Sequence, residues 1–203
     1  VGLLGYGGFS LSEKKVLRTQ DLVLCALFSA LIAVGAFIRI PLPLLPVPLT
    51  LQFFFSNLAG LVLGRRRGAL AAAGYVAAGL AGLPIFAGGS GGIAYVLHPT
   101  FGYLIGFIAG SWVAGFVAER LGPGMKIWIL AGGANLAVLY VLGMTYFYFL
   151  ADVYLGKPMG LSTLVYSCCL IFLPGDLLKC FLGAVVAERL RLMLPDKILN
   201  GIS

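Results

Sequence analysis

Long apolar stretches separated by short charged clusters dominate the pattern along this chain. A helix needs about 20 predominantly apolar residues to cross the hydrocarbon layer of a membrane. Stretches of roughly that length run over 22–38, 42–63, 68–86, 101–118, 127–151 and 159–187. The pattern therefore predicts an all-α integral membrane protein with six transmembrane helices. We expect residues 1–19 to form a leader and residues 20–203 a single six-helix membrane domain.

Composition supports the same class of protein. Of the 203 residues, 61% are hydrophobic and only 10% are charged, whereas a soluble domain carries about 25% charged residues. A chain with so few charges cannot cover a water-facing surface, and this excludes an ordinary soluble globular protein.

The positions of the basic residues predict the orientation. An even number of spans puts both termini on one side, and cytoplasmic segments of membrane proteins carry an excess of Lys and Arg. With cytoplasmic termini, the outer loops hold only Arg39 and Lys157. The inner segments hold eleven basic residues: Lys14, Lys15, Arg18, Arg65, Arg66, Arg67, Arg120, Lys126, Arg189, Arg191 and Lys197. We therefore expect cytoplasmic termini, and the net charge of +7 needs no nucleic-acid partner.

Four prolines interrupt the start of the second apolar stretch. Proline removes a backbone donor and clashes inside a helix, and non-helical backbone is tolerated at membrane depth only where protein buries it or where it lines a cavity. We expect an extended or re-entrant outer loop around Pro41, Pro43, Pro46 and Pro48.

One acid and one base lie inside the sixth apolar stretch. Asp176 and Lys179 are the only charged residues between Met159 and Ala187, and residues three apart share a helix face. A charge at that depth costs about 2.5–3.5 kcal/mol on insertion scales. Two interpretations stay open at this point: an ion pair that fixes helix packing, or the polar end wall of a ligand pocket.

A glycine-rich stretch, Gly88 to Gly92, lies between the third and fourth spans. Glycine allows close backbone approach, and Ser90 is the only side chain here that can form a hydrogen bond. The stretch can cradle a polar ligand or serve as a flexible connection. It lacks the spacing of a nucleotide-phosphate loop, and none occurs elsewhere in the chain, so we expect no ATPase of its own.

Other reactive residue types are sparse. His98 is the single histidine, and no pair of the four cysteines has the spacing of a metal site. We expect no metal and no cofactor. Ala26 and Ala30 form a small-xxx-small pattern that lets another helix approach closely; packing inside the bundle is the alternative.

Five segments together resemble the BioY family, the biotin-binding S components of energy-coupling factor (ECF) transporters. They are PLPLLPVPLTLQ (41–52), LAGLVLGRRRGALA (58–71), GLPIFAGGSGG (82–92), HPTFGYLIGF (98–107) and FLPGDLLK (172–179). The resemblance covers 20–191. It implies the six-helix S-component fold with cytoplasmic termini, and an outer biotin site covered by the proline-rich and glycine-rich loops.

The resemblance also implies site residues and partners. We expect biotin to be bound by Gln52, Phe86, Gly89, Ser90, Gly91, Tyr103, Asp176 and Lys179. Some relatives carry an arginine directly after the tyrosine of the GY pair, where this chain has Leu104. The implied partners are a transmembrane coupling protein and two ATPase subunits, docked through Ala26 and Ala30, in a prokaryotic cell membrane.

These expectations describe high-affinity biotin uptake without covalent chemistry, so the chain is not expected to be an enzyme. One alternative is an S component for another vitamin. Another is a small secondary transporter driven by protons through Asp176. An intramembrane enzyme using Asp176 or His98 as a base lacks an accompanying nucleophile, metal set or second acid.

Overall fold

Six α-helices build most of the computed structural model, which describes residues 18–40, 48–153, 156 and 160–193. The helices are α1 (Thr19–Phe37), α2 (Gln52–Leu80), α3 (Phe101–Leu121), α4 (Met125–Val153), α5 (Leu161–Val165) and α6 (Leu173–Met193). A 3₁₀ turn spans Ile93–Leu97 and a π-helical segment spans Tyr166–Leu170. The all-α architecture is the one that the apolar pattern predicts.

Helix α2 folds back on itself at Gly64, whose φ of 81° and ψ of 174° lie outside the helical region. Only glycine adopts such a positive φ without strain. The arms on either side, 52–63 and 65–80, lie against each other: a Cβ added to Gly68 would meet the Cα of Gly60 at 2.6 Å. Spans predicted at 42–63 and 68–86 are thus the two arms of one kinked helix, which begins only at Gln52 and ends at Leu80.

Four helical segments are long and apolar enough to cross a membrane. They are Thr19–Phe37, Phe101–Leu121, Met125–Asp152 and Ser162–Met193. Each arm of α2 is shorter than the ~20 residues of a full crossing. Within the described ranges, the structure therefore gives four candidate spans and a re-folded α2 in place of six separate long helices.

A two-stranded antiparallel hairpin precedes α2. Arg39 pairs with Thr50, and Ile40 pairs with Leu49, joining β1 (Arg39–Ile40) to β2 (Leu49–Thr50). The extended conformation predicted for the proline-rich stretch is therefore observed at its C-terminal end, in β2. Its first three prolines lie outside the described residues.

The last span changes its helical winding before the acid–base pair. Within the π-helical segment the backbone N–H of Ile171 reaches the carbonyl of Tyr166, five residues earlier. Such widened turns occur frequently at functional sites. Pro174 follows in the first turn of α6, where its missing N–H costs little. This irregular region faces the cavity described below.

The two ends of the bundle differ in chemistry. At one end, Arg65 pairs with Glu119 at 3.1 Å, Arg67 pairs with Asp21 at 3.1 Å, and the indole N–H of Trp128 donates to Glu188. We call this the basic end. The opposite end, called the hairpin end, carries the β-hairpin, the segment 81–100 and the start of α6.

Candidate functional site

Asp176 and Lys179 form a buried ion pair near the hairpin end. The Nζ of Lys179 lies 2.6 Å from Oδ1 of Asp176, and their side chains are 10% and 8% exposed. Asp176 lies in the first turn of α6, where the positive end of the helix dipole favours a carboxylate. The pair predicted from the sequence is therefore present and lies on one helix face.

Two further groups hold the pair. The hydroxyl of Tyr140 on α4 donates to Oδ2 of Asp176 at 2.6 Å. Lys179 donates a second hydrogen bond, 2.8 Å long, to the backbone carbonyl of Thr50 in β2. Each charge thus has a second polar partner from a different element, as buried charges require.

A cavity of about 60 Å³ lies beside this pair. Its polar wall includes Thr50, Gln52, Tyr140, Asp176 and Lys179, and its apolar and aromatic wall includes Phe53, Tyr103, Phe107, Leu139 and Phe172. A few convergent polar groups in a mostly apolar cavity are the usual composition of a small-molecule site. The cavity is small, because a single water molecule needs about 10–15 Å³ of volume measured in this way.

Gln52 belongs to a hydrogen-bonded chain that joins the two loops at the hairpin end. Thr50 Oγ1 donates to Gln52 Oε1 at 3.1 Å, Gln52 Nε2 donates to the Tyr75 hydroxyl at 2.6 Å, and that hydroxyl donates to the Ile85 carbonyl at 3.1 Å. Gln52 is 4% exposed and lines the cavity. Its amide therefore positions β2 against the segment leading into the glycine-rich stretch.

Tyr103, one of the residues expected to bind biotin, lies on the cavity wall. Its hydroxyl donates to the carbonyl of Cys168 at 3.0 Å, a group inside the π-helical segment. The ring is buried and closes the cavity between α3 and the last span.

Predicted residues of the glycine-rich stretch lie above the cavity and do not line it. Phe86 is fully buried, with its ring centroid 4.5 Å from that of Tyr95. Its backbone N–H donates a hydrogen bond of 2.9 Å to the Ser90 carbonyl, so Phe86 and Ser90 close a tight turn. Gly89 and Gly91 are exposed on this turn, and Gly89 has a φ of 71°. Ala87 is the residue of this turn that contacts the cavity.

His98 has no role at the pair. Its ring stacks on Tyr95 with centroids 4.7 Å apart, and its Nδ1 lies 2.8 Å from Oγ1 of Thr100. Burial lowers the pKa of His98 below its ordinary value, which favours the neutral ring at pH 7. Among the residues that the structure describes, no cluster of His, Cys, Asp and Glu side chains could hold a metal ion.

On α1, the predicted small-residue stripe of Ala26 and Ala30 is exposed, whereas the small residues Gly35 and Ala36 further along the helix are buried in the bundle. Ala26 and Ala30 therefore lie on a surface that is open to a second helix.

Several residues of the candidate site were not predicted from the sequence. Tyr140, Thr50 and Phe172 contact the cavity or the pair. Thr50 and Phe172 lie in two of the five quoted segments, whereas Tyr140 lies in an apolar stretch outside them. An isolated tyrosine near the middle of an apolar span is the one signal that Tyr140 offers, because a buried hydroxyl requires a partner.

Comparisons with known proteins agree on one family. The family model described as "BioY family" matches residues 11–196. A probable biotin transporter BioY of Lysinibacillus sphaericus is 43% identical over 85% of this chain and 87% of its own. The biotin transporter BioY of Thermotoga maritima is 40% identical over 85% of this chain and 96% of its own.

A solved structure agrees as well. The crystal structure of the S-component for biotin from an ECF-type ABC transporter superposes with a TM-score of 0.74 at 29% identity, covering 85% of this chain and 90% of the other. Sequence and three-dimensional similarity therefore extend over most of both chains.

Proposed function

The chain belongs to the BioY family, and from that premise we propose that it binds biotin beside Asp176 and Lys179 and delivers it for uptake as the substrate-binding component of an ECF-type transporter. Relatives named as biotin transporters and a structural neighbour named as a biotin S-component support this proposal. The family consists of transport proteins, so no catalytic step is assigned to the pair.

The observation that carries the proposal is the unused hydrogen-bonding capacity of the pair. A carboxylate has about four acceptor positions and an ammonium group has three donors. Asp176 uses two positions, for Lys179 and Tyr140, and Lys179 uses two donors, for Asp176 and Thr50. Counting the partners among the described residues, about two acceptor positions and one donor therefore remain.

This remainder matches the head group of biotin. The ureido ring presents two N–H donors and one carbonyl acceptor, so the carboxylate can accept one N–H while the ammonium group donates to the carbonyl next to it. The second N–H points to the other side of the ring and requires a separate acceptor. Hydrogen bonds to charged groups each contribute about 1.5–3 kcal/mol. The thiophane ring and alkyl tail then contact the aromatic wall formed by Phe53, Tyr103 and Phe172.

Binding requires the cavity to widen. About 60 Å³ is enough for a few water molecules, which is less than a bicyclic vitamin with an alkyl tail needs. Pro48 and Leu49 form one part of the cavity wall, and Leu49 belongs to a strand of only two residues. Displacement of this wall opens the cavity towards the hairpin end.

The finer features of topology follow from the same proposal. Each arm of α2, with residues that flank it, crosses the membrane, which gives six crossings and cytoplasmic termini. The basic end then faces the cytoplasm, in keeping with the bias of Lys and Arg, and the hairpin end faces outward. The partners are a transmembrane coupling protein and two ATPase subunits in a prokaryotic cell membrane, with Ala26 and Ala30 as the docking surface.

Titration calorimetry of the detergent-purified chain tests the proposal. Biotin should bind saturably at one site per chain, whereas riboflavin and thiamine should give only heats of dilution. Saturable binding of either of the other vitamins in place of biotin would contradict the proposed specificity.

A further inference from the structure

Arg39 lies next to two parts of the cavity wall, one in each loop of the hairpin end. In β1 it pairs with Thr50, whose carbonyl accepts the hydrogen bond from Lys179. Its guanidinium group extends to the glycine-rich stretch, where a Cβ added to Gly88 would lie 2.8 Å from Nη1. Gly88 adjoins Ala87, which is part of the cavity wall. The absence of a side chain at Gly88 leaves room for the guanidinium group.

The charge of Arg39 has no acidic counterpart nearby. Its side chain is exposed, and it forms no ion pair with any residue in the ranges 18–40, 48–153, 156 and 160–193. Lys179, whose ammonium group donates to the carbonyl of Thr50 opposite Arg39, already pairs with Asp176. An exposed guanidinium group at the rim of a cavity is therefore available to a ligand.

We propose that Arg39 binds the carboxylate at the end of the substrate's alkyl tail. The inference rests on the proposed function and specifies the second polar end of the site. With the ureido ring at Asp176 and Lys179, the tail runs past Leu49 and Ala87 towards the rim. An arginine presents a planar pair of N–H groups that fits a carboxylate bidentately.

Among the described residues of the cavity wall, Asp176 and Lys179 are the only charged ones, so this part of the wall offers the carboxylate no further charged partner. Leu104 is buried and apolar on the α3 side of the cavity, and the remaining donor of Lys179 is assigned to the ureido carbonyl. The structure thus divides recognition between a buried pair for the head and an exposed cation for the tail. Arg39 is then the residue that makes the chain prefer a ligand with a carboxylate tail over an analogue with a neutral tail.

Competition titrations with biotin and with biotin amide, whose tail is neutral, test this division. The purified full chain should bind biotin about fivefold more tightly than biotin amide, the scale of an exposed ion pair. Arg39→Gln should weaken biotin by about that factor and leave biotin amide unchanged. Arg66→Gln, which removes an equally exposed arginine at the basic end, should change neither affinity.

Salt and charge reversal provide a second measurement. Because an exposed pair is screened by salt, raising the ionic strength should weaken biotin but not biotin amide in the wild-type chain. Arg39→Glu should weaken biotin more than Arg39→Gln does. A purely structural contribution of Arg39 to the hairpin would weaken both ligands equally, and that result would overturn the inference.

Failure of the inference and failure of the proposed function are distinguishable. If the wild-type chain binds biotin but Arg39→Gln keeps the preference for the acid, Arg39 does not bind the carboxylate and the proposed function stands. If the wild-type chain binds neither biotin nor biotin amide, the proposed function fails and the inference fails with it.

Discussion

The Nζ of Lys179 on α6 donates a hydrogen bond of 2.8 Å to the backbone carbonyl of Thr50, a residue 129 positions earlier in the chain. This contact ties the end of the proline-rich loop to the helix that carries the acid–base pair. Displacement of β2 would therefore remove one of the two groups that hold the ammonium group of Lys179.

The hydrogen bond from Tyr140 to Asp176 gives the first prediction. Tyr140→Phe removes the donor to Asp176 and keeps the ring, so the carboxylate loses one of the groups that position it. We expect biotin affinity to fall about tenfold, because a hydrogen bond to a charged group contributes about 1.5–3 kcal/mol. Titration calorimetry measures this change.

Tyr103→Phe is the matched control. It removes the same atom from the same cavity wall, but its hydroxyl donates to a neutral carbonyl, that of Cys168. Its effect on affinity should be smaller than that of Tyr140→Phe. If the two variants lowered biotin affinity equally, the hydrogen bond from Tyr140 to Asp176 would have no specific role in binding.

The chain Thr50–Gln52–Tyr75–Ile85 gives a second prediction. Tyr75→Phe keeps the edge-on contact with Phe86, whose ring centroid is 5.6 Å away, but loses both hydrogen bonds of the hydroxyl. We expect the free energy of unfolding to fall by about 1–3 kcal/mol, because the buried amide of Gln52 loses a partner.

A double-mutant cycle tests whether Gln52 and Tyr75 stabilise the fold through their shared hydrogen bond. Gln52→Leu and Tyr75→Phe remove the same contact from its two sides, so the double variant should be destabilised by less than the sum of the single variants. Thermal denaturation of the three variants in one detergent provides the comparison. Additive losses would show that Gln52 and Tyr75 act separately.

The exposed face of α1 gives a third prediction. Ala30→Trp should leave biotin binding to the isolated chain unchanged and should reduce ATP-dependent uptake in cells, because the bulky ring obstructs a docking helix. Val141→Trp, at an exposed position of α4 (60% of the residue accessible), controls for an added ring on the surface. Parallel loss of binding and uptake in Ala30→Trp would mean that the stripe contributes to internal packing.

Orientation in the membrane is tested by cysteine accessibility in intact cells. Cysteines introduced at Ser90 and Gly156 should react with an impermeant maleimide from outside, and those at Arg66 and Lys126 only after permeabilisation. The native chain is the control, since Cys25, Cys168 and Cys180 are buried and Cys169 is partly buried. Labelling with the opposite pattern would reverse the proposed topology.

Much of this fold follows from apolar segments alone. Apolar length predicts α1, α3, α4 and the last span, because a bilayer requires helices of that length. The fold-back of α2 is harder to predict from the sequence, since the Arg65–Arg67 cluster suggests a loop between separate helices. Gly64 instead supplies the positive φ that reverses the chain within one residue.

The site was predictable only in part. A buried acid and base three residues apart identify Asp176 and Lys179 because their cost in an apolar span requires a partner, and the five motifs identify the family, which the comparisons confirm. The contacts of Tyr140 and Thr50 depend on tertiary packing between distant segments. Apolar sequence predicts the presence of a span but not which side chain faces a cavity.

The acid–base pair is the central claim, and a fully apolar replacement tests it most directly. Biotin affinity and thermal stability should be measured for Asp176→Leu/Lys179→Met, with the single variants Asp176→Asn and Lys179→Met in parallel. Each single variant should bind biotin at least about tenfold more weakly, with effects that are less than additive. A well-packed apolar replacement of a buried ion pair is often neutral or stabilising, so we predict a folded double variant that no longer binds biotin. Near-normal biotin affinity in that folded double variant would contradict the account.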